Sequence, residues 1–394
     1  MERRHDIDWL RILAILGVLF FHTGMLFAED SSWHIQNEDK SYLWLEVNFF
    51  LSRFRMPLLF VISGIGSWYA LRRRSVWQFI KERYVRLIIP LLFGMLVIVP
   101  PQVYIERIFS GVDFNSYWQF YPSIFDGIPY PEGNTSWHHL WFILYLFLYA
   151  VLSVPLMKYM RGAQGKWLVA KIGALLKGKL HYLIMVPSLL VFVFPCAYFP
   201  QTNALVNDLA YFFYWFTFFW AGFIIASDIK IGEAIEHYRS RSLGWAILLL
   251  VVVNYLRWNK IEVNHNMGLV YFNRLITSAF GWMMLLAIMG YGKHLLNRPH
   301  KYLGYINQAI YPFYILHQTI IIIIGYYVIQ VDESIMSKSL FVLVTTFIFS
   351  MAIFHYLIRP YKWVRIMFGV KPEIVLQDKK ESVLNHRSLA YEEV

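Results

Sequence analysis

The sequence predicts an all-α polytopic membrane protein of about ten transmembrane helices, with both termini in the cytoplasm. Three observations carry that expectation. The 394 residues are 58% hydrophobic and only 15% charged, too apolar for an ordinary soluble domain. The apolar residues gather in ten stretches close to the length that crosses a bilayer, about 20 residues each. Charge is sorted between the loops: alternate loops, starting from 71–86, hold 18 Lys/Arg against 4 Asp/Glu, whereas the others hold 4 against 12. Such an excess of positive charge marks cytoplasmic loops and fixes orientation.

The expected spans are 9–28, 44–71, 87–105, 139–157, 183–200, 209–227, 243–258, 269–292, 303–329 and 339–358. Helix is the default for each, because backbone groups in lipid must be satisfied within the segment. The runs are too long and too evenly apolar for barrel strands. The first run exceeds a signal-peptide core and no small-x-small site follows it, so it is expected to stay attached. Between spans two and three, SVWQFIKERYVRL (75–87) has amphipathic spacing and is expected to lie along the inner surface. Residues 158–182 are similar, with six positive charges and no acid. The long outer segment 106–138 is rich in aromatic residues, which suit either sugar stacking or an interfacial belt. Residues 1–370 are expected to form one membrane domain, and the polar stretch 371–394 a flexible cytoplasmic tail.

Several function classes drop out. The net charge of +11 is explained by topology and gives no reason to expect a nucleic-acid partner. A single cysteine, Cys196, excludes an intramolecular disulfide and a cysteine metal cluster. No Walker loop, GxGxxG or HExxH motif is present, and no metal is implied.

What remains to be explained is ionisable residues inside the spans. DWLRILAILGVLFFHTG (8–24) carries Arg11 and His22. Eleven helical residues separate them by roughly 16 Å and place them within roughly 20° on one face. Arg11 suits a juxtamembrane anchor as well as a functional cation. A histidine deep in a span faces the bundle interior or a wet cavity, and function is the default reading. In span nine, Asn307, Tyr314 and His317 share one sector, with His317 nearly level with His22. Span four opens with His138 and His139. Span two enters with Glu46, Arg53 and Arg55; Arg53 is expected to snorkel or pair with Glu46, leaving Arg55 as the functional arginine. Together these predict a polar chamber that opens outward, with His22 at its floor and Arg11 on the cytoplasmic approach. Such a chamber suits transport of an anionic substrate or glycan, or group transfer with histidine as base.

The Arg-x10-His pattern of Arg11 and His22, preceded by Asp8, resembles the opening of the membrane acyltransferase 3 family. FRMPLLFVISG (54–64), ERYVRLIIP (82–90), HLWFILYL (139–146) and YPFYILHQ (311–318) resemble its later landmarks in the same order. Trp33-His34 and the FRMP stretch are most similar to the glucan biosynthesis protein C group, implicated in succinylating periplasmic glucans. The resemblance implies an O-acyltransferase of the inner membrane. It would move an acetyl or succinyl group from cytoplasmic acyl-CoA to a carbohydrate hydroxyl outside. No bound cofactor is implied; the expected partners are acyl-CoA, the carbohydrate, the lipid bilayer and glycan-synthesis proteins. By the same resemblance, His22 would be the base or a transient acyl carrier, and Arg11 would hold the donor. Arg83 and Arg86 would meet donor phosphates, although positive-inside topology accounts for them equally well. His139 and His317 would position the acceptor or assist proton transfer, with Asn307 and Tyr314 beside them. Independently of the resemblance, the charge of Arg55 suits it to stabilise the oxyanion or a succinyl carboxylate. A carrier without bond chemistry, or a scaffold for glycan synthesis, are the other readings.

Overall fold

The computed structural model describes residues 3–29, 32–261 and 266–371, so the expected tail lies outside the described residues except for Lys371. Among them the chain is all helical, with two isolated bridges and no strand. The helices used below are α1 (His5–Met25), α2 (Tyr42–Ser52), α3 (Arg55–Arg73), α4 (Val76–Phe109), α5 (Trp141–Leu152), α6 (Val154–Arg161), α7 (Ala163–Leu175) and α8 (Gly178–Tyr198). They continue with α9 (Leu209–Ser227), α10 (Ile229–His237), α11 (Arg239–Trp258), α12 (Met267–Leu296), α13 (Leu303–Val328) and α14 (Ile335–Ile358).

Eight helical segments are long and apolar enough to cross a membrane, or nine when α5 and α6, bent by 43°, count as one span. The protein is therefore a multi-pass membrane protein. The stretch expected at 243–258 lies in α11, a 20-residue helix of about 30 Å, enough to reach across the hydrocarbon. It is not among the apolar set, and Arg239, Arg241, Asn254 and Arg257 lie toward its two ends. It packs along α12.

Three local features position the site. First, α2 and α3 are one span broken at Arg53 and Phe54. Pro57 explains the break: its ring excludes the carbonyl four residues back, at Arg53. The restart makes Arg55 the first residue of α3. Second, α3 and α9 approach very closely at two glycines. A Cβ on Gly64 would stand 1.9 Å from the Phe219 carbonyl oxygen, and one on Gly222 would stand 1.9 Å from that of Val61. Only glycine permits this backbone contact, the usual device for helix association in lipid.

Third, α4 is irregular. It opens on a capping box made by Ser75 and Gln78 and runs on through π turns at Tyr84–Ile88 and Gly94–Ile98. The 75–87 stretch is thus the beginning of a spanning helix rather than a separate surface helix. Pro100 cannot donate to the Leu96 carbonyl, which instead accepts from the Tyr121 hydroxyl at 3.0 Å. The Ile98 carbonyl is likewise taken by the Thr319 hydroxyl at 2.7 Å. These two bonds tie the distorted helix to the aromatic segment and to α13.

The aromatic segment 106–138 is mostly packing. Tyr104, Phe114, Tyr117 and Phe120 interlock, and Phe120 is fully buried. Burial pushes the Tyr117 hydroxyl up to about 12. Trp118 and Phe125 point outward, as a membrane belt requires, while Tyr130 and Trp137 turn toward a cavity.

Candidate active site

α1 and α13 pack against each other and bring two histidines together from opposite ends of the chain. His22 Nδ1 lies 2.8 Å from His317 Nε2, and the two rings are parallel at 5.0 Å. The direction of the bonds follows from the carbonyl at the end of the chain. His317 Nδ1 is 2.6 Å from the Tyr314 carbonyl oxygen, which can only accept, so His317 carries its proton there. His317 Nε2 is then a lone pair, and His22 Nδ1 donates to it. This fixes His22 with its lone pair on Nε2, which has no hydrogen bond among the described residues. A base oriented through its other ring nitrogen is the arrangement general-base catalysis needs. When His22 takes a proton, the bond to His317 stabilises the imidazolium.

His139, buried at the start of α5, is the third member of the group. Its Nε2 donates to the Ile315 carbonyl at 3.1 Å, and its Nδ1 is buried without a partner. Its ring centre lies 6.5 Å from that of His22 and 5.2 Å from that of His317. The Tyr314 hydroxyl donates to the His139 backbone carbonyl, locking α13 to α5. So His139 sits inside the chamber rather than at its mouth with His138.

The expected single chamber is a series of three cavities. The first, about 300 Å³, is lined by Arg11, Arg83, Arg86, Asn307 and Tyr314. The second, about 390 Å³, holds His22, Arg55, His139 and the other side of Tyr314. The third, about 900 Å³ and open at the end opposite the chain's N-terminus, shares His139, Trp141 and Asn203 with the second. Tyr314 is thus a wall common to the first two, and His139 one common to the last two.

The basic first cavity is built from residues with few competing partners. Arg11 has only a loose contact with Asp8, at 3.6 Å, because Asp8 is held by Arg3 at 2.9 Å. Arg83 donates to the Ser67 hydroxyl at 3.2 Å, and Arg86 is 3.7 Å from Glu82. Both atoms of the Asn307 amide are buried and unpartnered. In the second cavity Arg55 lies 3.5 Å above the Phe21 ring, and its Nε has no partner. Its neighbour Arg53 behaves differently: it does not pair with Glu46, which is held by Arg257 through two bonds of 2.9 Å, and it rests on Phe49. The break at Arg53 and Phe54 separates the two side chains, and only Arg55 lines the cavity.

A family profile for the acyltransferase domain matches residues 4–355, nearly the whole chain. The chain belongs to the acyltransferase 3 family. Among curated relatives, Glucans biosynthesis protein C of Escherichia coli O1:K1 is 24% identical over 344 residues, 83% of this chain and 84% of that protein. The protein of the same name from strain K12 is 24% identical over the same length. No solved structure matches. This acyltransferase 3 member is therefore an enzyme that transfers acyl groups.

Sequence reasoning missed one part of the site. The third cavity is framed by His34, Tyr130 and Gln318. Gln318 bridges His34 Nε2 at 3.2 Å and Gln102 at 3.0 Å, and Gln102 donates to Thr319 at 2.6 Å. Gln102 and Glu106 are four apart on α4, and a polar pair at helical spacing near the end of an apolar run was the available signal.

Proposed function

We propose that the protein moves an acyl group from cytoplasmic acyl-CoA through the inner membrane to a hydroxyl of an extracytoplasmic carbohydrate. In this reading ten helices span the bilayer with both termini inside, and the first cavity faces the cytoplasm. The observation that carries the proposal is the three cavities in series, with the oriented His22–His317 pair between the basic one and the wide one.

Arg83, Arg86 and Arg11 receive the phosphates and the thioester end of the donor, since guanidinium groups suit phosphate oxygens. The acyl group passes Tyr314 into the second cavity. His22 Nε2 takes the proton of the acceptor hydroxyl as its oxygen attacks the thioester carbonyl. The oxyanion forms beside Arg55, and the thiolate leaves with the proton. Asn307 and His139 hold the donor and acceptor on either side. Arg55 also suits the free carboxylate of a succinyl group, and the name of the curated relatives favours a glucan as acceptor. Charge sorting between the loops supports the orientation.

Mass spectrometry of envelope glycans tests the reading. Cells producing the protein should carry glycan esters that are absent with His22→Ala. Unchanged esters in the variant, at equal membrane protein levels, would contradict it.

A further inference from the structure

The wide cavity has a feature that acyl transfer does not use. One ring nitrogen of His34, one of His138 and a carboxylate oxygen of Glu106 all lie within 4.8 Å of one another. They come from three separate segments: the connection after α1, the last turn of α4 and the turn that opens α5. The obvious use of such a group is a second histidine–carboxylate base. The bonding argues against it. His34 Nδ1 contacts Glu106 and His34 Nε2 accepts from Gln318, so neither ring nitrogen of His34 is free to take the proton of a sugar hydroxyl.

We propose that His34, Glu106 and His138 form a Zn²⁺ site with one coordination position open to the wide cavity. Two imidazoles and one carboxylate are a donor set that zinc favours, and three protein ligands leave a position for water or a hydroxyl. Ligand atoms around tetrahedral zinc stand about 3.4 Å apart, so side-chain shifts of about 1 Å suffice. Zinc takes the place of the proton on His34 Nδ1; that proton moves to Nε2, and the Gln318 amide turns to present its oxygen to it.

Two observations point to a missing ligand. His138 Nε2 is buried with no partner, while its Nδ1 is held by Ser136 at 3.0 Å. Glu106, with 12% of its side chain exposed, has no arginine or lysine ion pair among the described residues; its contacts are His34 and the Tyr130 hydroxyl at 2.8 Å. The nearby Arg107 is spent on Asn134 and the carbonyls of Pro131 and Gly133. Groups for an outer shell stand beside the ligands: Ser136 on His138, Tyr130 on Glu106, and Gln318 against His34, where its amide oxygen must face Nε2 once Nδ1 holds the metal. Ligands' second bonds of this kind orient them and tune affinity.

The test uses the full chain without an affinity tag, stripped with chelator in detergent, then titrated with Zn²⁺ against a chromophoric competitor. One Zn²⁺ per chain is expected, and Co²⁺ should give the visible bands of a low-coordinate site. Glu106→Gln and His138→Ala should each weaken binding by about 100-fold or more, and Tyr130→Phe by about 10-fold. Failure of the unaltered protein to bind Zn²⁺, or equal binding of Mg²⁺, overturns the proposal. So does Zn²⁺ binding that persists unchanged in both ligand variants. None of these readouts depends on acyl transfer.

Discussion

At the scale of single residues, the account turns on which nitrogen of His22 is free. His317 supplies the answer through a bond it can make only as an acceptor. Gln at 317 can still accept from His22 Nδ1 through its amide oxygen, whereas Leu cannot. His317→Leu should therefore lower kcat on the order of 10²-fold with little change in KM, as expected when a base loses its orienting partner. His317→Gln should recover a substantial part of that loss. Equal loss in both would mean that His317 acts in some other way than by orientation. That His317 lies near the depth of His22 was legible in the sequence, because helical rise converts residue number into depth; that the two rings meet was not. The partner of Glu46 was not: Arg53 is its neighbour on the same span, but Arg257 arrives from a helix more than 200 positions away and outcompetes it. Sequence distance carries no information about such a meeting.

At the scale of elements, nine of the expected stretches were legible as long apolar runs, counting the bent α5–α6 pair, while 243–258 lies in a helix outside that set, and irregularities were partly legible. Pro57 and Pro100 announce broken backbone bonds, but not which groups inherit the freed carbonyls. The contact of α3 with α9 is the least forgiving in the bundle. Gly64→Ala or Gly222→Ala drives a methyl group into a backbone carbonyl, which side-chain repacking cannot relieve. Each should cost about 1–3 kcal/mol or more and lower the midpoint of thermal unfolding by several degrees. Gly244→Ala, where a Cβ meets nothing within 4 Å, should be neutral or slightly stabilising, since alanine favours helix over glycine. Matching losses at all three positions would show that the tight approach is not what the glycines serve.

At the scale of the whole molecule, the sorted charges set a direction, and the cavities lie along it. The basic cavity belongs to the side that carries the arginines of 71–86; the wide cavity belongs to the side with the acidic, aromatic segments. Single cysteines report this orientation cleanly, because Cys196 is buried. In intact cells with a permeable outer envelope, a membrane-impermeant maleimide should label Trp118→Cys and spare Trp77→Cys, two positions that are both highly exposed. The reverse pattern would invert the bilayer and place the basic cavity outside. The series of cavities itself could not be read from sequence, since its dividing walls, Tyr314 and His139, are set by how α13 meets α5.

The central claim is that one acyl group crosses the membrane inside this protein and leaves on a sugar. Proteoliposomes measure that most directly, with isotopically labelled succinyl-CoA on the side of the basic cavity and glucan oligosaccharide only on the other. The account predicts labelled ester on the glucan, and loss of at least about 10²-fold in rate with His22→Gln. Label appearing only when donor and acceptor share a compartment, or full transfer by the variant, would contradict it.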